Sequence, residues 1–233
     1  MAVMWDTYFI PFFLLVLFTK EAHMPTLPTE IKSQEWRIVR LAERKEDGFH
    51  FAATGFALTH KGKTYVITNR HVVAGVSNFA DFYAEFHPPV NAHLVKVLFT
   101  DQTHDIAVLG IDVVLDGKTE TALLGEPKPG AEVFIVGFDE SHATRNNLNV
   151  ERGTVETVLP WVDEKLLPIA SGKYPGPLAL LISDITCRPG GSGSPVFGSK
   201  GEVLGVVKGF IRDGRCVAMG IGPAFEFLET HRQ

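Results

Sequence analysis

The 233-residue sequence predicts an all-β protein, a sandwich or a pair of barrels. Three observations predict it. Short apolar or alternating runs, rich in β-branched and aromatic residues, recur from Trp36 onward. Turn residues separate them, at His60-Lys61-Gly62, Lys128-Pro129-Gly130, Ser199-Lys200-Gly201 and Asp213-Gly214. No long helical period lies between them, which argues against alternating strands and helices.

The elements follow in chain order. Tyr8–Phe18 is an apolar and aromatic run of eleven residues. As a helix it would reach only about 17 Å, short of a roughly 30 Å bilayer core. That length suits the hydrophobic part of a signal peptide, but the flanks do not: Asp6 precedes the run and the first basic residue, Lys20, follows it. The run is read as an export or membrane-association segment, the alternative being a buried or disordered extension. Residues 24–35 carry two prolines and read as a linker, so 1–35 forms a hydrophobic N-terminal segment and linker and 36–231 the folded domain. Strands are expected at 36–42, 51–58, 64–68, 94–100, 106–111, 133–138, 153–158, 178–183, 203–211 and 216–221. The turn-rich stretch 112–130 is the expected seam between two β halves. One helix is expected at the end, with Pro223 in its first turn and Phe225, Phe227 and Leu228 on its apolar face.

Composition narrows the function. Hydrophobic residues are 45% and charged residues 21%, which excludes a disordered or fibrous chain. The net charge of −5 offers no basic excess for a phosphate backbone, so nucleic acid is not an expected partner. Two cysteines, Cys187 and Cys216, exclude a multi-disulfide scaffold and a four-cysteine zinc site. Nine histidines occur without HExxH or CxxC, so no metal site is expected. Gly220-Ile221-Gly222 lacks the third glycine of a dinucleotide loop, and no other cofactor signature occurs.

Three segments carry chemistry. In Val66-Ile67-Thr68-Asn69-Arg70-His71-Val72-Val73 a strand delivers a histidine to its end. In His104-Asp105-Ile106-Ala107-Val108-Leu109 an acid precedes an apolar strand. In Arg188-Pro189-Gly190-Gly191-Ser192-Gly193-Ser194-Pro195 a serine sits in a glycine-rich turn leading into a strand. A serine hydroxyl needs an adjacent base to become a nucleophile. An imidazole has the pKa for that and can return the proton to a leaving amine. A buried carboxylate fixes the imidazole tautomer and stabilises the imidazolium. Glycines let backbone N–H groups converge on an oxyanion. Each piece alone is weak; the order His, Asp, Ser, at intervals of 34 and 87 residues, is what carries weight.

On these segments the chain resembles a trypsin-like (chymotrypsin-fold) serine peptidase, closest to the HtrA/Deg and glutamyl-endopeptidase branch. ATGFALTHKGKTYVITNRHVV resembles that branch's histidine segment, HDIAVLGID its aspartate segment, and SDITCRPGGSGSPVFGSKGEVLGVV its nucleophile segment. The resemblance implies two six-stranded antiparallel barrels with the site in the cleft between them. It implies a serine endopeptidase acting on protein or peptide, without a cofactor. Ser192 would be the nucleophile, His71 the base and acid, Asp105 the orienting acid, and the N–H groups of Gly190 and Ser192 the oxyanion hole. Gly191 stands where digestive trypsins carry an aspartate that pairs with a freshly cut N-terminus, so that switch is expected to be absent. A regulatory module of the Deg type is not expected after the peptidase region.

The strand VLGVVKGFI resembles the one that pairs with substrate by β-addition. It would set Val207, Lys208, Gly209 and Phe210 near the primary pocket, with Cys187, Met219 and Ile221 as walls; the competing reading is barrel core. Asp184 lies eight residues before Ser192, where Deg-type enzymes keep a non-selecting aspartate. Trypsin-like enzymes often bridge the places held by Cys187 and Cys216; two packed, reduced thiols stay open. The lead function is an active endopeptidase. The second is a silent homologue that binds peptides through the same cleft, and an esterase reading has no support beyond shared acyl chemistry. An extracytoplasmic location is expected, with the cytoplasm as alternative. Membrane association would run through the N-terminal segment, and nothing in the sequence indicates an oligomeric state.

Overall fold

The structure, a computed structural model, describes residues 26–86, 92–113, 124–140, 147–160, 178–211 and 213–231. Six strands form the first barrel: β1 (Ile38–Lys45), β2 (Gly48–His60), β3 (Lys63–Asn69), β4 (Phe82–Phe86), β5 (Ala92–Asp101) and β6 (Ile106–Ile111). It closes in the order β1-β2-β3-β6-β5-β4. The second barrel has β7 (Glu132–Gly137), β8 (Asn149–Pro160), β9 (Leu178–Ser183), β10 (Pro195–Gly198), β11 (Val203–Phe210) and β12 (Cys216–Met219), closed as β10-β11-β12-β9-β8-β7. All named strand pairs are antiparallel. The all-β expectation and the two six-stranded barrels agree with this architecture.

Side-chain alternation explains the sequence pattern. In β3, Val66 points into barrel 1, while its neighbour Ile67 joins a core shared by both barrels. In β6, Ala107 and Leu109 face inward, while Ile106 and Val108 face the shared core; in β7, Val133 and Ile135 face inward, Phe134 and Val136 the shared core. Strands buried on both faces read as unbroken apolar runs, which is why IAVLGI and VFIVGF show no polar alternation. Phe56 of β2 meets Phe197 of β10 edge to face at 6.1 Å across the seam. At the β2–β3 hairpin, Lys61 and Gly62 have φ of 49° and 77°, the signature of a tight two-residue turn.

The C-terminal helix forms as expected. It spans Gly222–Thr230 (α3), with Pro223 in its first turn and Ala224, Phe227 and Leu228 buried. Phe227 stacks on Phe99 of barrel 1 with ring centres 4.7 Å apart. β4 has no counterpart among the expected strands; its Ala and Glu gave no β signal, and pairing with β1 and β5 holds it in place.

The segment before β1 differs from a simple linker. Residues 29–37 form a helical turn, α1 (Thr29–Lys32), followed by a 3-10 turn at Glu35–Arg37. Ile31 is buried in the shared core, and the Gln34 side-chain amide donates to the Gly201 carbonyl at 2.6 Å. The expected run at Tyr8–Phe18 lies outside the described residues. So does the middle of the expected seam, 114–123; β6 ends at Ile111 and β7 begins at Glu132.

Candidate active site

β3 ends at Asn69 and passes into a short helix, α2 (Arg70–Ala74), which carries His71 in its first turn. The turn before β6 carries Asp105, whose φ of 53° is left-handed, a conformation that Asp tolerates better than most residues. That backbone is held on both sides. The Asp105 carbonyl accepts from the Arg70 N–H at 3.0 Å and from the Asn69 side-chain amide at 3.1 Å. The Asp105 carboxylate accepts the His71 backbone N–H at 2.9 Å, satisfying an N–H that the start of α2 leaves without a helical partner. Its other oxygen lies 2.7 Å from His71 Nδ1. Asp105 is buried, whereas the His71 side chain is 46% exposed, so the imidazole has one edge against a fixed carboxylate and the other toward the cleft.

Barrel 2 presents Ser192 to that open edge. Ser192 Oγ lies 3.1 Å from His71 Nε2 and 3.3 Å from the Lys208 carbonyl. The loop around it is closely braced. The Gly193 N–H donates to the Val207 carbonyl at 2.8 Å, the Val207 N–H to the Ser194 carbonyl at 2.8 Å, and the Ser194 N–H to the Gly191 carbonyl at 3.0 Å. Gly193 has φ +82°, and a Cβ there would come within 2.0 Å of the Thr54 carbonyl, so only glycine fits.

Arg188-Pro189-Gly190-Gly191 forms a turn closed by Gly191 N–H to the Arg188 carbonyl at 3.1 Å, with Gly190 at φ +87°. Proline followed by a glycine of positive φ is what a type II turn requires. The Pro189 carbonyl accepts from the Glu140 N–H at 3.2 Å. In a trans peptide the N–H opposes the C=O, so the Gly190 N–H points away from Glu140. Among the described residues, neither the Gly190 nor the Ser192 backbone N–H has a hydrogen-bond acceptor. Two such donors flanking a hydroxyl suit a developing oxyanion.

Other expected site residues are distributed less simply. Lys208 is the extra residue where the β11–β12 register shifts between Val207 and Gly209, Gly209 faces open space, and Phe210 is 60% exposed. Val207, by contrast, turns its side chain into the core of barrel 2, and Gly193 and Ser194 occupy both its backbone groups. Met219 and Ile221 lie in the shared core. Asp184 is exposed in a left-handed turn, with the Ser183 hydroxyl on its carboxylate at 3.2 Å. Cys187 and Cys216 are joined in a disulfide, tying the start of the segment that carries Ser192 to β12. Among the described residues no cluster of three metal-ligating side chains occurs.

Sequence reasoning missed two features. Asp139 is 2% exposed and lies beside the Arg188–Gly191 turn, with Arg188 Nε 4.0 Å from its carboxylate and equally far from Glu151. Thr54, fully buried in β2, bonds to barrel 2 at two places. Neither carries a local signal, since an isolated Asp or Thr in a β protein is unremarkable until the partner barrel is in place.

Two barrels, with a serine, a histidine and a carboxylate meeting at their junction, define the architecture of a trypsin-like hydrolase. The chain belongs to the trypsin-like peptidase domain family, whose model matches residues 53–206. It is 30% identical over 153 residues to the serine protease Do-like HtrA of Lactobacillus helveticus, covering 62% of this chain and 32% of that protein. It is 28% identical over 162 residues to a probable periplasmic serine endoprotease DegP-like of Pseudomonas putida, covering 66% and 28%. The fold also matches an HtrA-type protease AlgW solved with a decapeptide, at TM-score 0.65 and 14% identity, over 86% of this chain and 66% of that one. The chain thus spans about a third or less of the length of the curated relatives it matches.

Proposed function

We propose that this protein is a serine endopeptidase that cleaves peptide bonds through an acyl-enzyme on Ser192. The observation that carries the reading is the continuous chain of contacts from Ser192 Oγ to His71 Nε2 (3.1 Å) and from His71 Nδ1 to Asp105 (2.7 Å), beside two unengaged N–H groups. Ser192 Oγ attacks the substrate carbonyl carbon while its proton passes to His71 Nε2. The negative charge that develops on the carbonyl oxygen is held by the N–H groups of Gly190 and Ser192. Asp105 keeps His71 in the tautomer with the proton on Nδ1 and stabilises the imidazolium. When the tetrahedral species collapses, the C–N bond breaks and His71 returns the proton to the leaving amine. A water then attacks the ester with His71 again as base, releasing the new carboxyl group and restoring Ser192.

The substrate is a protein or peptide, lying along the exposed part of β11 at Lys208, Gly209 and Phe210. The peptidase domain runs over 36–231, with 1–35 as an N-terminal segment. An extracytoplasmic location is supported by relatives named as periplasmic endoproteases and by a disulfide, which persists in oxidising compartments. Among the described residues no helix is long and apolar enough to cross a membrane.

The test is labelling with a fluorophosphonate probe, with Ser192→Ala and His71→Ala as comparisons. The wild type is expected to label at Ser192 and Ser192→Ala not at all; in amide hydrolysis Ser192→Ala and His71→Ala should each lose roughly 10⁴–10⁶ in kcat, with a smaller loss for Asp105→Asn. A folded wild type that does not label, or a Ser192→Ala variant that still labels and hydrolyses a peptide ester, overturns the reading.

A further inference from the structure

His71 and Asp105 belong to barrel 1 and Ser192 to barrel 2, so the 3.1 Å between imidazole and hydroxyl depends on how the barrels are registered. The shared core is mostly apolar, and apolar adhesion is non-directional. Something directional must set the register, and one residue stands where it would. Thr54 is fully buried in β2 of barrel 1. Its backbone N–H donates to the Ser192 carbonyl at 2.9 Å. Its hydroxyl accepts the Phe138 N–H at 2.9 Å and lies 3.3 Å from the Phe138 carbonyl, to which it donates. Its own carbonyl accepts the Thr68 hydroxyl at 2.9 Å, three residues before His71.

These contacts meet both halves of the site. Phe138 directly precedes Asp139 and Glu140, and the Glu140 N–H holds the Pro189 carbonyl and so orients the Gly190 N–H. Thr54 is therefore bonded to the strand that leads to His71, to the residue bearing the hydroxyl, and to the segment that orients the oxyanion turn. We infer that the Thr54 hydroxyl is a positioning group that registers one barrel against the other and so sets the reach of Ser192 to His71 and the aim of the oxyanion turn. The inference rests on the endopeptidase reading for its catalytic consequence, and on geometry alone for the junction itself.

Thr54→Val is close to isosteric but removes the hydroxyl, leaving the Phe138 N–H without its acceptor; Thr54→Ser keeps it. Displacing reacting groups by about an ångström costs on the order of 10²-fold. With a fluorophosphonate probe, Thr54→Val should lower the maximal labelling rate roughly 10–100-fold with apparent probe affinity within about threefold, whereas Thr54→Ser should stay within about threefold of wild type. Amide hydrogen exchange should quicken at least about tenfold at Phe138, with β7 unaffected. If Thr54→Val does not fold, Thr68→Val, which removes the bond to the Thr54 carbonyl, should slow labelling several-fold. Unchanged exchange at Phe138, a Thr54→Val variant labelling like wild type, a Thr54→Ser variant as slow as Thr54→Val, or a wild-type rate in Thr68→Val each overturns the inference. A wild type that fails to label overturns the endopeptidase reading instead, and exchange at Phe138 still decides the junction.

Discussion

Replacing Gly193 by alanine should disable the site while the neighbouring Gly191→Ala leaves it working. At Gly193 the backbone has φ +82°, which costs an L-residue about 1–2 kcal/mol. The new Cβ would stand 2.0 Å from the Thr54 carbonyl oxygen and 2.4 Å from Thr68 Oγ1, against an ordinary contact of at least 3.4 Å. The loop must retreat by more than an ångström, because the obstructing oxygen belongs to a barrel strand. Overpacking of this kind adds about 1–3 kcal/mol. Ser192 is the adjacent residue and moves with the loop, so the rate should fall roughly 10²-fold or more. At Gly191 the nearest atom is the Arg188 carbonyl at 3.1 Å and the φ is not positive, so a few tenths of an ångström suffice. That variant should lose under about 1 kcal/mol and keep its rate within about fivefold, in line with ordinary tolerated substitutions. Fluorophosphonate labelling rates and urea unfolding measure both quantities. A Gly193→Ala protein labelling within threefold of wild type, or a Gly191→Ala protein as slow as Gly193→Ala, would refute the steric argument.

Glu43 accepts from the Ser77 hydroxyl, from Ser77 N–H at 3.0 Å and from Asn78 N–H at 2.9 Å, and the Ser77 hydroxyl is the first cause of a pKa held below the usual carboxylate value. A depressed folded-state pKa stabilises the fold above the unfolded value and loses that contribution as pH falls through the folded one. The melting-temperature gap between wild type and Glu43→Gln should therefore shrink on going from pH 7 to pH 3, and an unchanged gap contradicts this. Replacing both Cys187 and Cys216 by alanine opens a loop of sequence separation 29. By the chain-entropy estimate this costs about 3.5 kcal/mol in urea unfolding, and a loss under about 0.5 kcal/mol would show that the bridge is not formed in solution. Ile31→Ala, in α1, should cost about 2–5 kcal/mol because Ile31 is 1% exposed in the shared core, while labelling per folded molecule is unchanged. A cost near zero would mean that α1 does not dock.

The parts of the fold that were legible are those whose signal is local. β9 matches its expected range of 178–183, because LALLIS is a compact β-type run with turn-type residues on either side in the sequence. α3 was legible from a proline followed by apolar residues at helical spacing. β4 was not, since FYAEF takes its strand character from hydrogen bonds to β1 and β5. Ile31 was not, because a single apolar residue among polar ones and prolines gives no periodicity to read. Position in the sequence alone groups Val207 with Lys208, Gly209 and Phe210. The register shift after it is what separates it, facing the core, from Gly209 and Phe210, which face outward.

The same division runs through the site. His71, Asp105 and Ser192 could be singled out because each lies in a short segment whose residue types make chemical sense together. Thr54 and Asp139 could not, because their meaning lies in a relation between two barrels whose strands are far apart in sequence. Phe138 lies 84 residues from Thr54 and is nonetheless its hydrogen-bond partner. The distinction is physical. The apolar seam contributes area, and area tolerates sliding, since exchanging one methyl contact for another changes little. A buried hydroxyl bonded to both backbone groups of one residue does not tolerate sliding, because a shift of an ångström breaks its bond to the buried Phe138 N–H, at about 1–3 kcal/mol. Catalytic distance therefore answers to few polar contacts rather than many apolar ones, and substitutions across the shared core should change stability well before they change the distance between Ser192 and His71.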